Sequence, residues 1–221
     1  MLLYLSFFSA LFGVNIDCDA QEINVMSYNI RYASPNDGPN LWQKRKDEMI
    51  NILRKIKPNI IGLQEVVHSQ LIDIKEGMNE YSFIGVGRED GKTKGEYSPI
   101  FYSNKELKLL ESNTFWLSET PEIPSIGWDA ALNRIATFGV FKIIKSNKII
   151  VVYNSHFDHI GKKSRENSSK GILNHIKENA FLKNSIVLMG DFNAIPSDTP
   201  CLLYTSDAAD EGLGVDLGGR R

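Results

Sequence analysis

Apolar and polar residues first fall into register at residues 23–28 (INVMSY), where their alternation predicts a β-strand. A loop rich in Gly, Pro and Asn follows at 35–40. Met49, Ile52, Leu53 and Ile56 then recur at helical spacing, and Lys57-Pro58 ends the helix because the residue before a proline is driven out of the α conformation. Residues 60–63 read as a short buried strand running into Gln64-Glu65, with a second helix expected at about 68–78. Further strands are expected at 82–86, 99–102, 114–117, 137–143 and 149–155, a helix near 164–180, and a last strand at 185–189. So many strands with few helices between them fit two packed sheets covered by helices better than one doubly wound sheet. Asn29, Glu65, His156 and Asp191 each stand at the C-terminal end of an apolar strand, where α/β architectures assemble their sites.

Both ends break this pattern. Leu2 to Val14 is nearly continuous apolar sequence, and Cys18-Asp19-Ala20 offers small residues at a signal-cleavage position. Residues 1–20 are therefore expected to be an export signal, and the protein secreted or periplasmic. The run is shorter than the roughly 20 residues that cross a bilayer, so no transmembrane segment is expected. At the other end, CLLYTSDAADE and VDLGGRR resemble the translation of a transposase end sequence and sequencing adapter. Residues 201–221 are expected to be a non-native tail, with the gene continuing past Pro200. The remainder, 21–200, is long enough for one core and short for two, so one domain is expected.

Charge adds an exclusion. The formal net charge is −2, and it becomes +2 for 21–200 once Asp17, Asp19, Asp207, Asp210, Glu211, Asp216, Arg220 and Arg221 are set aside. So mild a balance implies no strong basic patch and gives no electrostatic case for a tight nucleic-acid binder. Both cysteines, Cys18 and Cys201, fall in the ends, which leaves neither a disulfide framework nor a thiolate metal site.

The candidate chemistry lies at the strand ends. In VLMGDFNAIPSDTP a buried strand empties into a polar turn; Asp191 and Asn193 are turn formers there, or Asp191 is a carboxylate beside a metal that positions water. Glu65, after NIIGL, is costly at the rim of a core unless solvated, paired or bound to a hard cation. Asn29 in MSYNIRY reads alone as a turn residue and Arg31 as a surface charge, and they become informative beside the other positions. His156 ends a very apolar strand in VVYNSHFDHIG, with Asp158 and His159 following at once. An imidazole there can stabilise a pentacoordinate phosphorus or act as an acid, and HxDH can also mark metal ligands. Glu96, in GEYSPIFY, can fix a histidine tautomer.

In chain order SYNIR, LQEV, GEYSPIFY, TFWLSETP with GWDAALNRIATF, NSHFDHIG and GDFNAIPSDTP resemble the successive motifs of the endonuclease/exonuclease/phosphatase superfamily, over roughly residues 23–200. The resemblance implies a four-layer α/β sandwich, two mixed sheets flanked by helices, incomplete at the C terminus. It implies hydrolysis of a phosphodiester or phosphomonoester by in-line attack of an activated water, with Mg²⁺, or Mn²⁺ in its place. By motif position, Glu65 and Asn29 are the implied metal site, Asp191 orients or activates the water, Asn193 is its phosphate-side neighbour, and His156 is the catalytic histidine buttressed by Glu96. Arg31 and Arg134 are implied phosphate contacts, and Asp158 and His159 are additional candidates. Trp116 and Trp128 fall in the motifs and fit core packing equally. The substrate is left open between nucleic acid, phospholipid headgroup and inositol or sugar phosphate, and a monomer is expected. The family's closing Asp-His motif has no match in this sequence, so the complete gene product is expected to be an enzyme and this chain not a competent one. The alternative is a non-catalytic secreted binding protein on the same fold.

Overall fold

The computed structural model describes residues 22–204; the expected export signal and residues 205–221 lie outside them. Two β-α-β units carry the architecture. In the first, β1 (Val25–Asn29) leads through a short 3-10 turn (Gly38–Asn40) into α1 (Trp42–Ile56) and returns as β2 (Ile60–Gln64), parallel to β1. In the second, β7 (Ile149–His156) leads through α3 (Lys162–Glu178) to β8 (Ser185–Asp191), again parallel. Between them come α2 (His68–Gly77), β3 (Tyr81–Ile84), β4 (Ile100–Ser103), β5 (Leu107–Trp116) and β6 (Ile135–Ile143).

The strands form two four-stranded mixed sheets, ordered β1-β2-β4-β3 and β5-β6-β7-β8. Three apolar clusters give the layering. Leu53, Leu71 and Ile74 of α1 and α2 pack on Ile61, Leu63 and Phe101 of the first sheet. Ile172 and Ile176 of α3 pack on Val151 and Tyr153 of the second. Ile60, Ile100, Phe141, Val152 and Met189 fill the space between the sheets. The order helix, sheet, sheet, helix is the expected four-layer sandwich. All five residues of β2 are buried, as a strand covered on both faces requires.

Polar groups pin one sheet on the other beneath the strand ends. Asn154 of β7 is fully buried; its amide donates to the Leu63 and Pro99 carbonyls at 2.8 Å each and accepts from Gln64 Nε2 at 2.8 Å. Gly62 permits this approach, because a Cβ there would stand 2.6 Å from Met189 Cε and 2.9 Å from Asn154 Cγ. Gly190 does the same between β7 and β8: its φ is 150° and a Cβ would lie 2.0 Å from the Ser155 carbonyl oxygen.

One element differs from expectation. Strand β5 begins at Leu107 rather than 114, because its first half is an edge segment with a bulge between Leu109 and Glu111 and mostly exposed side chains, so no alternation marks it. Helix α1 begins at Trp42, whose indole N–H donates to Asp73 of α2 at 2.7 Å. Lys57 caps its end in the left-handed conformation, φ 50°. Residues 199–204 make a helical turn, in which Cys201 and Tyr204 are buried. Among the described residues no helix is long and apolar enough to cross a membrane.

Candidate active site

Parallel pairing in each β-α-β unit brings two strand ends level. Asn29 is registered with Gln64, so Glu65 projects just past it, and His156 is registered with Asp191. The two pairs meet across the sandwich through one amide: Asn29 Nδ2 donates to Glu65 Oε1 at 2.8 Å and to Asp191 Oδ2 at 3.1 Å. Four sequence candidates separated by up to 162 positions thus converge at one end of both sheets.

The backbone turns sharply to present them. Arg31, Glu65 and Asn193 take left-handed φ values of 64°, 62° and 45°, conformations that cost of order 1 kcal/mol or more in non-glycine residues and gather at functional sites. The turn at Glu65 lets Oε2 accept the Tyr32 N–H at 2.8 Å, while the Arg31 N–H donates to Asn29 Oδ1 at 3.0 Å. Arg45 of α1 holds the same segment by donating to the carbonyls of Ile30, Arg31 and Asn40. Burial raises the Glu65 carboxyl, but the Tyr32 N–H, the Asn29 amide and His156 outweigh it and hold Glu65 below its ordinary value. Asn193 donates its backbone N–H to Asp191 Oδ1 at 3.1 Å and its amide to the Phe157 carbonyl at 2.9 Å, fixing the turn beyond β8.

His156 faces this carboxylate pair from β7. Burial, then the Arg134 guanidinium, push its imidazole down to about 4, so it is neutral near pH 7. Its Nδ1 is buried and has no hydrogen-bond partner. The contact between His156 and Glu96 that the resemblance implies is not made: the Glu96 carboxylate accepts instead from the Arg88 guanidinium in a two-pronged ion pair, at 2.9 and 3.2 Å. Burial raises the Glu96 carboxyl although Arg88 and Arg134 oppose the rise.

Asp158 and His159 serve Arg134. The fully buried Asp158 carboxylate accepts Arg134 Nε at 3.1 Å and the backbone N–H groups of Ile160 and Gly161 at 3.0 and 2.8 Å. Burial alone would raise this carboxyl; those amides and Arg134 hold it far below the usual range. An arginine only donates, so His159 Nδ1 accepts from Arg134 Nη2, at 3.0 Å. The HxDH run is therefore an arginine clamp, its carboxylate engaged by Arg134 and two backbone N–H groups. The Arg31 guanidinium turns to Asp37, with Nε 2.7 Å from Oδ2, so Arg31 joins the site through its backbone.

Arg88 is the residue the sequence reading missed. It is 7% exposed, its charge is felt at His156 and Arg134, and its carbonyl is held by Trp116 Nε1 at 2.7 Å and Asn133 Nδ2 at 3.2 Å. The available signal was the glycine-spaced stretch GREDGKTKGE, which folds back so that the Arg88 N–H donates to the Glu96 carbonyl at 3.1 Å.

Among the described residues no three His, Cys, Asp or Glu side chains converge on a metal position. What converges is two carboxylates and one amide. Carboxylate oxygens suit a hard divalent cation, and a cation relieves the repulsion of two carboxylates that now share the NH2 group of Asn29. The donor set therefore fits a hard divalent cation, which Glu65 and Asp191 would hold.

Known proteins resemble the chain on the same terms. It is 42% identical to a Bacteroides vulgatus endonuclease/exonuclease/phosphatase, over 83% of this chain and 70% of that one, with a TM-score of 0.81. It is 39% identical to a Bacteroides thetaiotaomicron mannosyl-6-phosphatase, over 85% and 71%, also at 0.81. A probable RNA exonuclease of Saccharomyces cerevisiae is 29% identical across an alignment 214 residues long that covers 87% of this chain and only 41% of the yeast protein. The profile described as the Endonuclease/Exonuclease/phosphatase family matches residues 26–211, running past Pro200 into the segment whose origin the sequence puts in question. The chain belongs to the endonuclease/exonuclease/phosphatase family.

Proposed function

We propose that the complete gene product is an exported, divalent-metal-dependent phosphoester hydrolase, and that a phosphomonoester of a sugar is the first substrate to test. The observation that carries the hydrolytic reading is the Asn29 amide nitrogen shared by Glu65 and Asp191 across the two sheets, opposite neutral His156. The preference for a sugar phosphate rests on the 39% identity to a mannosyl-6-phosphatase. Two buried guanidinium groups beside His156 agree with a dianionic monoester.

Glu65 and Asp191 would hold the cation, with Asn29 beside them; when bound it supplies charge neutralisation and Lewis acidity at the phosphoryl oxygens. Asp191, fixed by the Asn29 amide and the Asn193 N–H, orients the attacking water and accepts its proton. His156, neutral and desolvated, hydrogen-bonds a phosphoryl oxygen as negative charge grows there. Arg134, aimed by Asp158 and His159, and Arg88, whose guanidinium is held by Glu96, add positive charge without reorganising. The family's closing Asp-His pair does not follow Asn193 in this sequence, and this chain by itself is proposed to be inactive.

The test is phosphate release from sugar phosphates, and aryl alcohol release from a bis-aryl phosphodiester, by protein carrying the native sequence past Pro200. Metal-dependent turnover that His156→Ala or Asp191→Ala abolishes without unfolding the protein is expected. Full activity in either variant would overturn the roles. Tight, EDTA-insensitive ligand binding with no turnover would favour the binding-protein alternative.

A further inference from the structure

Trp116, whose indole N–H holds the Arg88 carbonyl, also borders a cavity of about 630 Å³ between the end of β5, the loop that follows it and α3. Glu65, His156 and Asp191 are not among its lining residues, so it is a different place from the phosphoester site. Its volume falls within the ~300–1,000 Å³ of small-molecule sites.

Helix α3 turns one stripe toward this space: Asn167, Gly171, Asn174 and Glu178, spaced three or four residues apart. Gly171 is informative. A Cβ placed on it would meet no atom within 4 Å, and glycine inside a helix costs about 1 kcal/mol relative to alanine. No contact within the described chain requires the missing side chain; its effect is to keep the cavity open along a turn of α3. The opposite wall carries the half-buried rings of Phe115 and Trp128, with Trp116, only 6% exposed, behind them. His175, itself on α3, joins the two walls: its ring stacks on Phe115 with centroids 4.7 Å apart, and its Nδ1 lies 2.8 Å from the Tyr153 hydroxyl.

The lining selects a ligand class. Glu122 and Glu178 border the cavity and no lysine or arginine does, among the described residues, so phosphates and other anions are repelled. A pure hydrocarbon would bury the Asn167 and Asn174 amides without partners. Aromatic faces take the apolar face of a saturated ring, while amides and carboxylates pair with adjacent hydroxyls. Pro200 lies on the other flank: Ser169, two residues from Gly171 and hence on the far side of the helix, donates its hydroxyl to the Pro200 carbonyl at 3.2 Å.

We propose that this cavity is a second binding site, for a neutral sugar, independent of the hydrolytic centre. The test is a titration of the full chain with methyl glycosides of mannose, glucose, galactose and N-acetylglucosamine, read by tryptophan fluorescence and by saturation-transfer NMR. At least one glycoside is expected to bind saturably in the millimolar range, with excess inorganic phosphate leaving its affinity unchanged. Gly171→Leu fills open space and favours the helix, so its thermal midpoint should equal or exceed that of the parent while affinity falls by at least about tenfold. Asn174→Ala, a truncation of an exposed side chain, should weaken binding in the same direction. Absence of glycoside binding, equal affinity in both variants, displacement by phosphate, or binding of nucleosides alone would each overturn the proposal. None of these results bears on hydrolysis, because the two sites share no ligand-facing side chain.

Discussion

Replacing Asn154 by Leu should destabilise the protein by about 3 kcal/mol and disorder the active site together. The substitution keeps side-chain volume and burial roughly constant. It removes two hydrogen bonds to the carbonyls of Leu63 and Pro99 and one from Gln64, all at 2.8 Å and all buried. Each buried group left short of a partner costs about 1–3 kcal/mol. Pro99 O retains the Leu63 N–H at 3.1 Å, and Gln64 Nε2 retains the Gly62 carbonyl at 3.1 Å, so the lower half of that range applies to each. A loss of about 3 kcal/mol is a large fraction of the roughly 5–15 kcal/mol that holds a domain. It should lower the melting temperature by about 6–12 °C in a domain of this size. Denaturant unfolding followed by tryptophan fluorescence measures the loss. Asn154→Asp separates the causes: it keeps the shape but exchanges a donor for an acceptor, and should be at least as damaging. Because Gln64 precedes Glu65 and Asn154 lies two residues before His156, turnover should fall further than the folded fraction does. Parent-like stability in both variants would refute the view that this network sets one sheet on the other.

Other consequences can be checked independently. Gly190→Ala puts a Cβ 2.0 Å from the Ser155 oxygen at a φ of 150°, and should cost at least about 3 kcal/mol or prevent folding, read by soluble yield and circular dichroism. Asp158→Ala strands a buried Arg134, 3% exposed, and should cost about 3–5 kcal/mol in urea unfolding. In metal-free protein the unfolded chain takes up a proton on His156 near pH 6.5 that the folded chain refuses until about 4. The stability that neutral His156 contributes is therefore complete above about pH 6.5, and is lost by about 3 kcal/mol as pH falls to about 4. His156→Gln should flatten that slope, and an unchanged slope would show that other groups carry it. Arg88→Met should raise KM for a phosphomonoester more than for a diester, as measured by steady-state kinetics, because the lost charge opposes the more anionic substrate.

The sandwich was legible because burial leaves a local signature. Alternation at β1, the apolar runs of β2, β7 and β8, and the helical stripe of α1 each report a face turned to a core, and their ends carry Asn29, Glu65, His156 and Asp191. The motif order supplied what periodicity could not, the expectation that those ends meet. Strand β5 was half visible because its edge segment exposes Lys108, Leu110 and Glu111 alike. Partner choice was the least legible feature. That Glu96 pairs with Arg88, that Asp158 and His159 serve Arg134, and that Arg31 turns to Asp37 depends on side-chain directions set by loops, which leave no period in the sequence. Gly171 is silent for the complementary reason, since its effect is an empty volume.

The most direct test of the hydrolytic account is a metal add-back titration on EDTA-treated protein with its native C terminus, following phosphoester hydrolysis in the parent, Glu65→Gln and His156→Ala. The account predicts that Mg²⁺ or Mn²⁺ restores the parent and that Glu65→Gln needs at least about tenfold more metal. It predicts that His156→Ala loses turnover at every metal concentration. Hydrolysis that survives EDTA, or a Glu65→Gln metal curve that overlays the parent's, would contradict it.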